Sequence, residues 1–356
     1  MNTPAPGLPL VSVVIASYNS TPILPTILGA LRRQTYPKER MEVLVVDGGS
    51  TDDTRALAER EGCRVLDNPK TDPVNAKYIG FNAARGRYLV YLDHDEELVN
   101  PEALMETVRT FQRHEGVRTV DSSGYLNPPG FSPFNEYINE FGDPFSFFMY
   151  RQSRGAGFHR AAVARKAHRI AEDDAAEVFA ASPDNVRLFV ENLAGAVATD
   201  LEFVRASIPI DQPQDLCHLF YLLNDRGAAF AVSKNNALRH YSGDNLGKLM
   251  AKIRWRVKNN VHHTAAVGAA GFHGRQAFQP ASLRWKKFLF LPYAFSIVLP
   301  LADAIWLAAT RRKPVYLAHV GLVLYTAGLI VWHMGLRLLG IRPGMKSYDE
   351  KKLIKQ

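Results

Sequence analysis

The chain has 356 residues, 47% hydrophobic and 22% charged, with a formal net charge of +8 and a pI near 9.4. That length exceeds a typical single domain, so a main domain with an appendage is expected. The positive balance calls for anionic partners, yet no Lys/Arg run with interleaved aromatics marks a nucleic-acid platform, and nucleic acid is set aside as a partner. Cys63 and Cys217 are far apart and lack ligand spacing, which fits a reduced, cytoplasm-facing domain better than a disulfide scaffold. Residues 1–9 have no basic region followed by a long apolar core, so they read as a flexible lead-in rather than a signal peptide.

Residues 10–16 (LVSVVIA) have the pattern of a buried strand and end in the turn residues Ser17-Tyr18-Asn19-Ser20. Ile23, Ile27, Leu28 and Leu31 then recur at helical spacing. A second strand at 43–46 runs into Asp47-Gly48-Gly49-Ser50-Thr51-Asp52, where the glycines permit close approach of a ligand and the hydroxyl and carboxyl groups can cap a helix through Glu61. A short strand at 64–66 and a helix at 73–84 follow. Residues 88–92 are near-continuously apolar, as in a strand covered on both faces, and end abruptly in Asp93-His94-Asp95. A further helix covers 101–114, with Pro101 in its first turn. This alternation predicts a mostly parallel sheet flanked by helices, with loops carrying Tyr18, Asp47 and the Asp93/Asp95 pair gathered at one edge. Two carboxylates one residue apart repel each other unless a cation or a donor lies between them, while His94 points to the opposite side of an extended segment.

The segments VSVVIASYNS, VLVVDGGSTDDT and NAKYIGFNAARGRYLVYLDHDEELV, over residues 11–98, resemble the nucleotide-binding half of a family-2 glycosyltransferase with the GT-A fold. The resemblance implies a nucleotide diphosphate sugar as donor and Mg²⁺ or Mn²⁺ as cofactor, held by Asp95 with Asp93 and His240. It implies Ser17, Tyr18, Asp47, Lys77 and Asp93 as nucleotide-sugar contacts: Tyr18 on the base, Asp47 at the nucleoside, Lys77 at the diphosphate, Asp93 toward ribose or sugar. Gly48 stands where many members carry a second Asp, which leaves the choice of nucleotide open. In the same comparison Asp215, twelve residues before Gly227, matches the acceptor base, with Asp211 as runner-up; as a plain reading, Asp215 is equally a helix N-cap. Arg254-Trp255 is similar to the Arg-Trp of membrane glycosyltransferases whose Trp lines the acceptor site, although Ala251 replaces the Gln of the fuller pattern.

Between these motifs, residues 124–154 are rich in Pro, Gly, Phe and Tyr, too irregular for a simple amphipathic helix, and read either as a floor for an apolar acceptor or as core-filling loops. Residues 161–181 are polar and alanine-rich, with Glu172-Asp173-Asp174 read as a solvated helix face. Leu246, Leu249, Met250, Ile253 and Val257 share one helical face, and Lys248, Lys252, Arg254, Arg256 and Lys258 crowd the rest. That pattern suits an anionic membrane surface or, equally, a core-facing helix. His262, His263 and His273 lack ligand spacing and read as surface residues. Residues 288–309 and 315–334 each have the length of a membrane span; the second holds no Asp, Glu, Lys or Arg, whereas Pro292, Pro300 and Asp303 make the first a kinked or packed helix or a segment lying in the interface.

The sequence therefore predicts an α/β chain of GT-A type with C-terminal transmembrane helices: a lead-in (1–9), a catalytic domain (10–242, divided at 123/124), a basic interfacial region (243–285), a transmembrane hairpin (286–340) and a basic cytoplasmic tail (341–356). The expected activity is metal-dependent, inverting transfer of a sugar from a nucleotide diphosphate sugar to a membrane-associated acceptor, either polyprenyl phosphate, whose anionic oxygen needs little help from a base, or a lipid-linked or surface glycan, at the cytoplasmic membrane. A processive synthase and a non-catalytic nucleotide-sugar-binding scaffold are the alternatives.

Overall fold

A computed structural model describes residues 7–243, 245–265 and 270–344. Most of the basic tail, from 345 onward, and most of the lead-in lie outside these residues. The first half is a run of strand and helix units: β1 (Val11–Ser17), α1 (Leu24–Arg32), β2 (Met41–Asp47), α2 (Thr54–Arg60), β3 (Arg64–Asp67), α3 (Pro73–Ala83), β4 (Tyr88–Asp93), β5 (Glu96–Leu98) and α4 (Ala103–Arg113). Then come β6 (Val117–Asp121), β7 (Tyr125–Leu126), α5 (Pro133–Phe141), α6 (Pro144–Tyr150), the hairpin β8 (Arg169–Glu172) and β9 (Ala176–Phe179), and β10 (Ala198–Asp200). The chain continues through α7 (Leu201–Ser207), α8 (Pro213–Cys217), α9 (Leu219–Asp225), β11 (Ala229–Ser233), β12 (Leu238–His240), α10 (Leu246–His262), α11 (Phe290–Phe295), α12 (Val298–Arg311) and α13 (His319–Leu338).

Nine strands form one sheet in the order β3-β2-β1-β4-β10-β6-β11-β9-β8, and β5-β12-β7 form a second. The strands β3, β2, β1 and β4 pair in parallel, whereas β10, β9 and β8 enter antiparallel, so the sheet is mixed rather than mostly parallel. Alternate residues of β1 go to opposite faces: Val13 and Ile15 pack under α1 and α4, Val14 and Ala16 under α3 and α7 to α9. The fit of α3 on β1 depends on Gly80, where a Cβ would stand 2.3 Å from Val14 Cγ1.

Two local expectations change. The aromatic segment 124–154 forms α5 and α6, started by Ser132 and Asp143 as N-caps, each with a proline next. Its rings fill cores shared with the C-terminal helices instead of staying irregular. Residues 172–174 form the turn of the β8–β9 hairpin, where Asp173 accepts from the Ala175 and Ala176 amides and pairs with His114 at 3.0 Å; they are not a helix face.

The C-terminal helices also depart from a simple hairpin. The Pro314–Leu338 segment is long and apolar enough to cross a bilayer, with mean hydropathy 1.8 and a third of its apolar window buried, but 281–311 is broken, its two helices bent by 90°. The basic link between the two apolar segments folds back onto α5: Arg311 pairs with Glu140 at 2.7 Å and Lys313 with Glu136. α13 runs alongside α10 with the same chain direction, Arg254 meeting Tyr325, His262 meeting His333 and Arg337 meeting the Val261 carbonyl. The apolar face of α10 (Leu249, Ile253, Val257) is thus buried against protein, and His262 and His263 are packing residues, the latter facing the Pro343 carbonyl at 2.9 Å.

Candidate active site

Parallel register brings the ends of three strands to one rim, with Ser17 opposite Asp47 and Ala16 opposite Asp93. The two loops leaving β1 and β2 are knitted together: Asn19 Oδ1 accepts from the Thr51 amide at 2.8 Å, Ser50 Oγ from the Asn19 amide at 2.8 Å, and Thr54 Oγ1 from the Ser20 amide at 2.7 Å. Asp47 is 1% exposed and organises this turn, accepting from the Gly49 and Ser50 amides and the Ser50 hydroxyl. Its carboxylate stands behind the cavity wall, while Ser17, Tyr18 and Gly48 line the cavity. At Gly48 a Cβ would stand 3.3 Å from Thr71 Cγ2, so a side chain there would require Thr71 to give way.

The cavity has a volume of about 390 Å³, and its floor is the turn after β4. Asp93 ion-pairs with the buried Lys77 of α3. Burial disfavours the Lys77 ammonium, but Asp93 and Glu96 hold its pKa above the ordinary lysine value. Glu96, fully buried, accepts from the Asp93 amide at 2.9 Å, the Tyr125 hydroxyl at 2.7 Å and the Gly195 amide at 2.9 Å. Burial, then the neighbouring Asp93, push its pKa up. Antiparallel pairing of β5 with β12 sets His240 opposite Glu96, and His240 Nε2 lies 3.5 Å from Asp95 Oδ2. Burial opposes ionisation of Asp95, yet His240, His94 and Lys252 hold its carboxyl far below the usual carboxylate range. The rim therefore divides its two aspartates: Asp93 is matched by Lys77, and Asp95 faces His240.

The opposite wall comes from residues beyond 150: Arg154, Glu191, Asn192, Ser242, Lys252, Arg256 and Arg275 all line the cavity. Gly124, at φ +106°, admits the Arg154 backbone so closely that a Cβ would stand 2.4 Å from the Arg154 carbonyl oxygen. Arg154 pairs with Glu191 at 2.5 Å; burial raises the Glu191 pKa, but Arg154 and its neighbours bring it below the ordinary value. Burial among cations lowers the Lys252 pKa to about 8. Among the described residues, Arg154 Nε, Arg275 Nε, Ser242 Oγ, His240 Nδ1 and both side-chain polar atoms of Asn192 are buried without a hydrogen-bond partner.

Besides Asp47, four of the expected site residues do not line this cavity. Asp215 accepts from the Asp211 and Gln212 amides at 3.0 Å, closing a capping box at the start of α8, and neither Asp215 nor Asp211 lines the cavity. On α10, Lys252 and Arg256, four residues apart, share the face toward the cavity; Arg254 and Trp255 are rotated off it, and Arg254 reaches Tyr325 on α13.

Residues 12–161 match the family model for glycosyl transferase family 2. Over these residues the chain is similar to glycosyl transferase family 2. Glycosyltransferase AglE of Haloferax volcanii is 35% identical over 94 residues, 25% of this chain and 31% of that protein. The poly(ribitol-phosphate) beta-N-acetylglucosaminyltransferase TarS of Staphylococcus aureus is 28% identical over 109 residues, 29% of this chain and 19% of that protein. The chain thus spans a third or less of the length of these two relatives. In three dimensions it resembles a mannosyltransferase, PcManGT of Pyrobaculum calidifontis, solved with GDP-Man and Mn²⁺, with a TM-score of 0.53 and 16% identity over 92% of this chain and 88% of that one. The fold is GT-A.

Within residues 12–161 the rim residues carry motif signals, but Glu96, Tyr125 and Arg154 do not. Glu96 reads as one more charge in an acidic turn, and only the β5-β12-β7 sheet buries it. Asn192, Lys252, Arg256 and Arg275 come from elements whose placement depends on tertiary packing; the i, i+4 spacing of Lys252 and Arg256 was the one available hint.

Proposed function

We propose that the chain is a metal-dependent, inverting glycosyltransferase that moves a sugar from a nucleotide diphosphate sugar to a lipid-linked or glycan acceptor at a membrane, its catalytic domain facing the cytoplasm. The observation that carries this reading is the unequal treatment of the two rim aspartates. Lys77 neutralises Asp93, and Asp95 is held ionised beside His240 at the carboxyl edge of parallel strands, where such sheets bind ligands. Among the described residues no group of three or more His, Cys, Asp or Glu side chains is arranged to hold a metal. Two protein ligands at a cavity mouth nevertheless fit Mg²⁺ or Mn²⁺, which take few protein oxygens and complete their shell on substrate phosphates. His240 Nε2, the ring nitrogen turned toward Asp95, is the one placed to share such an ion. Bound there by Asp95 and His240, the ion would supply charge neutralisation to the leaving diphosphate.

The chain's own groups do the remainder. Tyr18 offers a ring at the cavity edge for the base, and Gly48 leaves room beside it. Lys77 holds Asp93 in a fixed rotamer, where it can accept from a sugar or ribose hydroxyl. Glu96, tied to the Asp93 amide, Tyr125 and Gly195, fixes the turn that carries both aspartates.

Large exposed apolar side chains concentrate in the C-terminal helices, among them Trp285, Phe288, Phe295, Val298, Trp306, Val331, Trp332 and Leu338. This is the surface for the bilayer. Because the basic helix α10 lies along α13 from Tyr325 to Arg337 and the 311–313 link returns to α5, we place the helices in one face of the membrane instead of crossing it as a hairpin.

Detergent-purified protein given labelled UDP- and GDP-sugars with and without Mn²⁺ tests the proposal: metal-dependent transfer is expected. Nucleotide binding without turnover on any acceptor would favour the scaffold reading, and polymer formed without primer would favour a synthase.

A further inference from the structure

A second cavity, of about 270 Å³, lies where the end of α6 meets α12, and it shares no lining residue with the first. Behind it are the buried rings of Phe141 and Phe147, and three guanidiniums, those of Arg151, Arg165 and Arg311, line it against one carboxylate, Asp303. Arg151 ends α6 at φ +46°, pairs with Asp303 at 2.5 Å and lies over the Phe147 ring at 4.5 Å. Arg311 is held by Glu140 at 2.7 Å and lies over the Phe158 ring at 3.8 Å. Arg165, exposed after the short helix His159–Ala164, has no carboxylate partner among the described residues. Two lysines crowd the same end of α6: Lys286 donates to the Met149 carbonyl at 2.9 Å and Lys166 to the Tyr150 carbonyl at 2.5 Å. Burial, then Lys286 and Arg165, lower the Lys166 pKa to about 8; burial, then Arg151, lower that of Lys286, so the charges acting on both are cations. Arg151, Arg165, Lys166 and Lys286 thus repel one another around a pocket whose mouth holds Trp306, 51% exposed on the apolar surface of α12. Like charges gathered in this way are relieved by an anion that reaches them. A phospholipid meets both features, because its phosphate sits at the depth where interfacial Trp rings lie.

We propose that this second cavity seats the head group of an anionic phospholipid of the bilayer, with Arg165, Arg151 and Arg311 at the phosphate and Trp306 beside the glycerol and the upper acyl chain. The lipid here is a regulator and not a reactant. The inference rests on the membrane contact proposed above and gives that contact a chemical preference. The site is also placed to act on the first cavity, because Ser153 lines the second and Arg154, the next residue, lines the first. A phosphate held by Arg165 and Arg151 steadies the 151–154 segment, and with it the Arg154 that pairs with Glu191 on the active-site wall.

The test uses the full chain and vesicles of phosphatidylcholine, alone or mixed with phosphatidylglycerol, with binding read by co-sedimentation. The parent is expected to bind the mixed vesicles about tenfold or more tightly than the neutral ones. Arg165→Gln should lose about fivefold of that gain, the worth of one cation at an anionic surface, and keep its binding to phosphatidylcholine, with a urea midpoint equal to the parent's. Arg226→Gln, which removes one exposed charge outside the cavity, should lose none of it. In detergent, dihexanoyl phosphatidylglycerol should raise the thermal midpoint of the parent above that of Arg165→Gln, whereas inorganic phosphate at the same concentration should move the two alike. Equal binding of the parent to both vesicles, or the same loss in Arg226→Gln as in Arg165→Gln, overturns the head-group site and leaves the membrane contact standing. Inorganic phosphate separating the two midpoints as far as the lipid does makes this a free-anion site and overturns the phospholipid. Failure to bind either vesicle overturns the membrane contact and the site together.

Discussion

Lys77 and Asp93 neutralise each other at the floor of the cavity, and that pairing decides which carboxylate is left to meet a cation. Asp95→Asn removes the remaining charge with almost no change of shape. Its expected effect is loss of the Mn²⁺-dependent increase in nucleotide affinity, read by calorimetry with UDP or GDP, together with loss of turnover and an unchanged thermal midpoint. Lys77→Met acts differently, because it leaves Asp93 and the buried Glu96 without their cation. A loss of about 3 kcal/mol in urea unfolding is expected, and a variant as stable as the parent would show that the pair contributes nothing to the fold. His159 offers a pH readout remote from this chemistry. Burial works against its charged form, but Asp121 at 2.9 Å and the Ser153 carbonyl raise its pKa above the ordinary 6.5. The contribution is therefore complete below pH 6.5 and disappears as pH rises through the higher folded value. The urea midpoint should fall as pH rises above 6.5, and His159→Gln should flatten that fall.

At the level of elements, α3 carries Lys77 to the rim, and its seat on β1 is set by the missing side chain of Gly80. Gly80→Ala should destabilise the fold by about 1–3 kcal/mol through overpacking against Val14, checked by denaturant unfolding, and should weaken nucleotide binding as Lys77 shifts. The sheet's parallel half was legible because strands covered on both faces, such as 88–92, write long apolar runs and end in turn residues. The rim residues followed from the same pattern. Residues 124–242 were legible only in part. The caps Ser132-Pro133 and Asp143-Pro144 announce α5 and α6, but the surrounding aromatics mask the helical period. The β8–β9 hairpin hides in a polar stretch whose alternation is weak. Arg254 and Trp255 were preferred to Lys252 and Arg256 on motif grounds, and a two-residue difference on a helix turns a side chain by about 200°. The face that met the cavity was settled by α13 packing on the other side, which no local pattern records.

For the whole molecule, the apolar surface on the C-terminal helices predicts binding to vesicles. Trp306→Glu combined with Trp332→Glu should abolish co-sedimentation with liposomes while nucleotide affinity persists. The in-plane arrangement makes a sharper claim: with Cys63 and Cys217 replaced, a cysteine introduced at Arg312 should react with an impermeant maleimide from the side on which the catalytic domain is labelled. Labelling from the other side only would restore the transmembrane hairpin. The sandwiched position of α10 has one more consequence. A chain trimmed before this helix to gain solubility would shed Lys252, Arg256 and Arg275 along with its greasy end and uncover the rings of α5 and α6. The apolar C-terminal helices and this wall of the cavity are one piece of architecture, so if the proposed membrane contact holds, lipid that shifts the first is felt at the second, and the rate of turnover is expected to vary with the bilayer in which it is assayed.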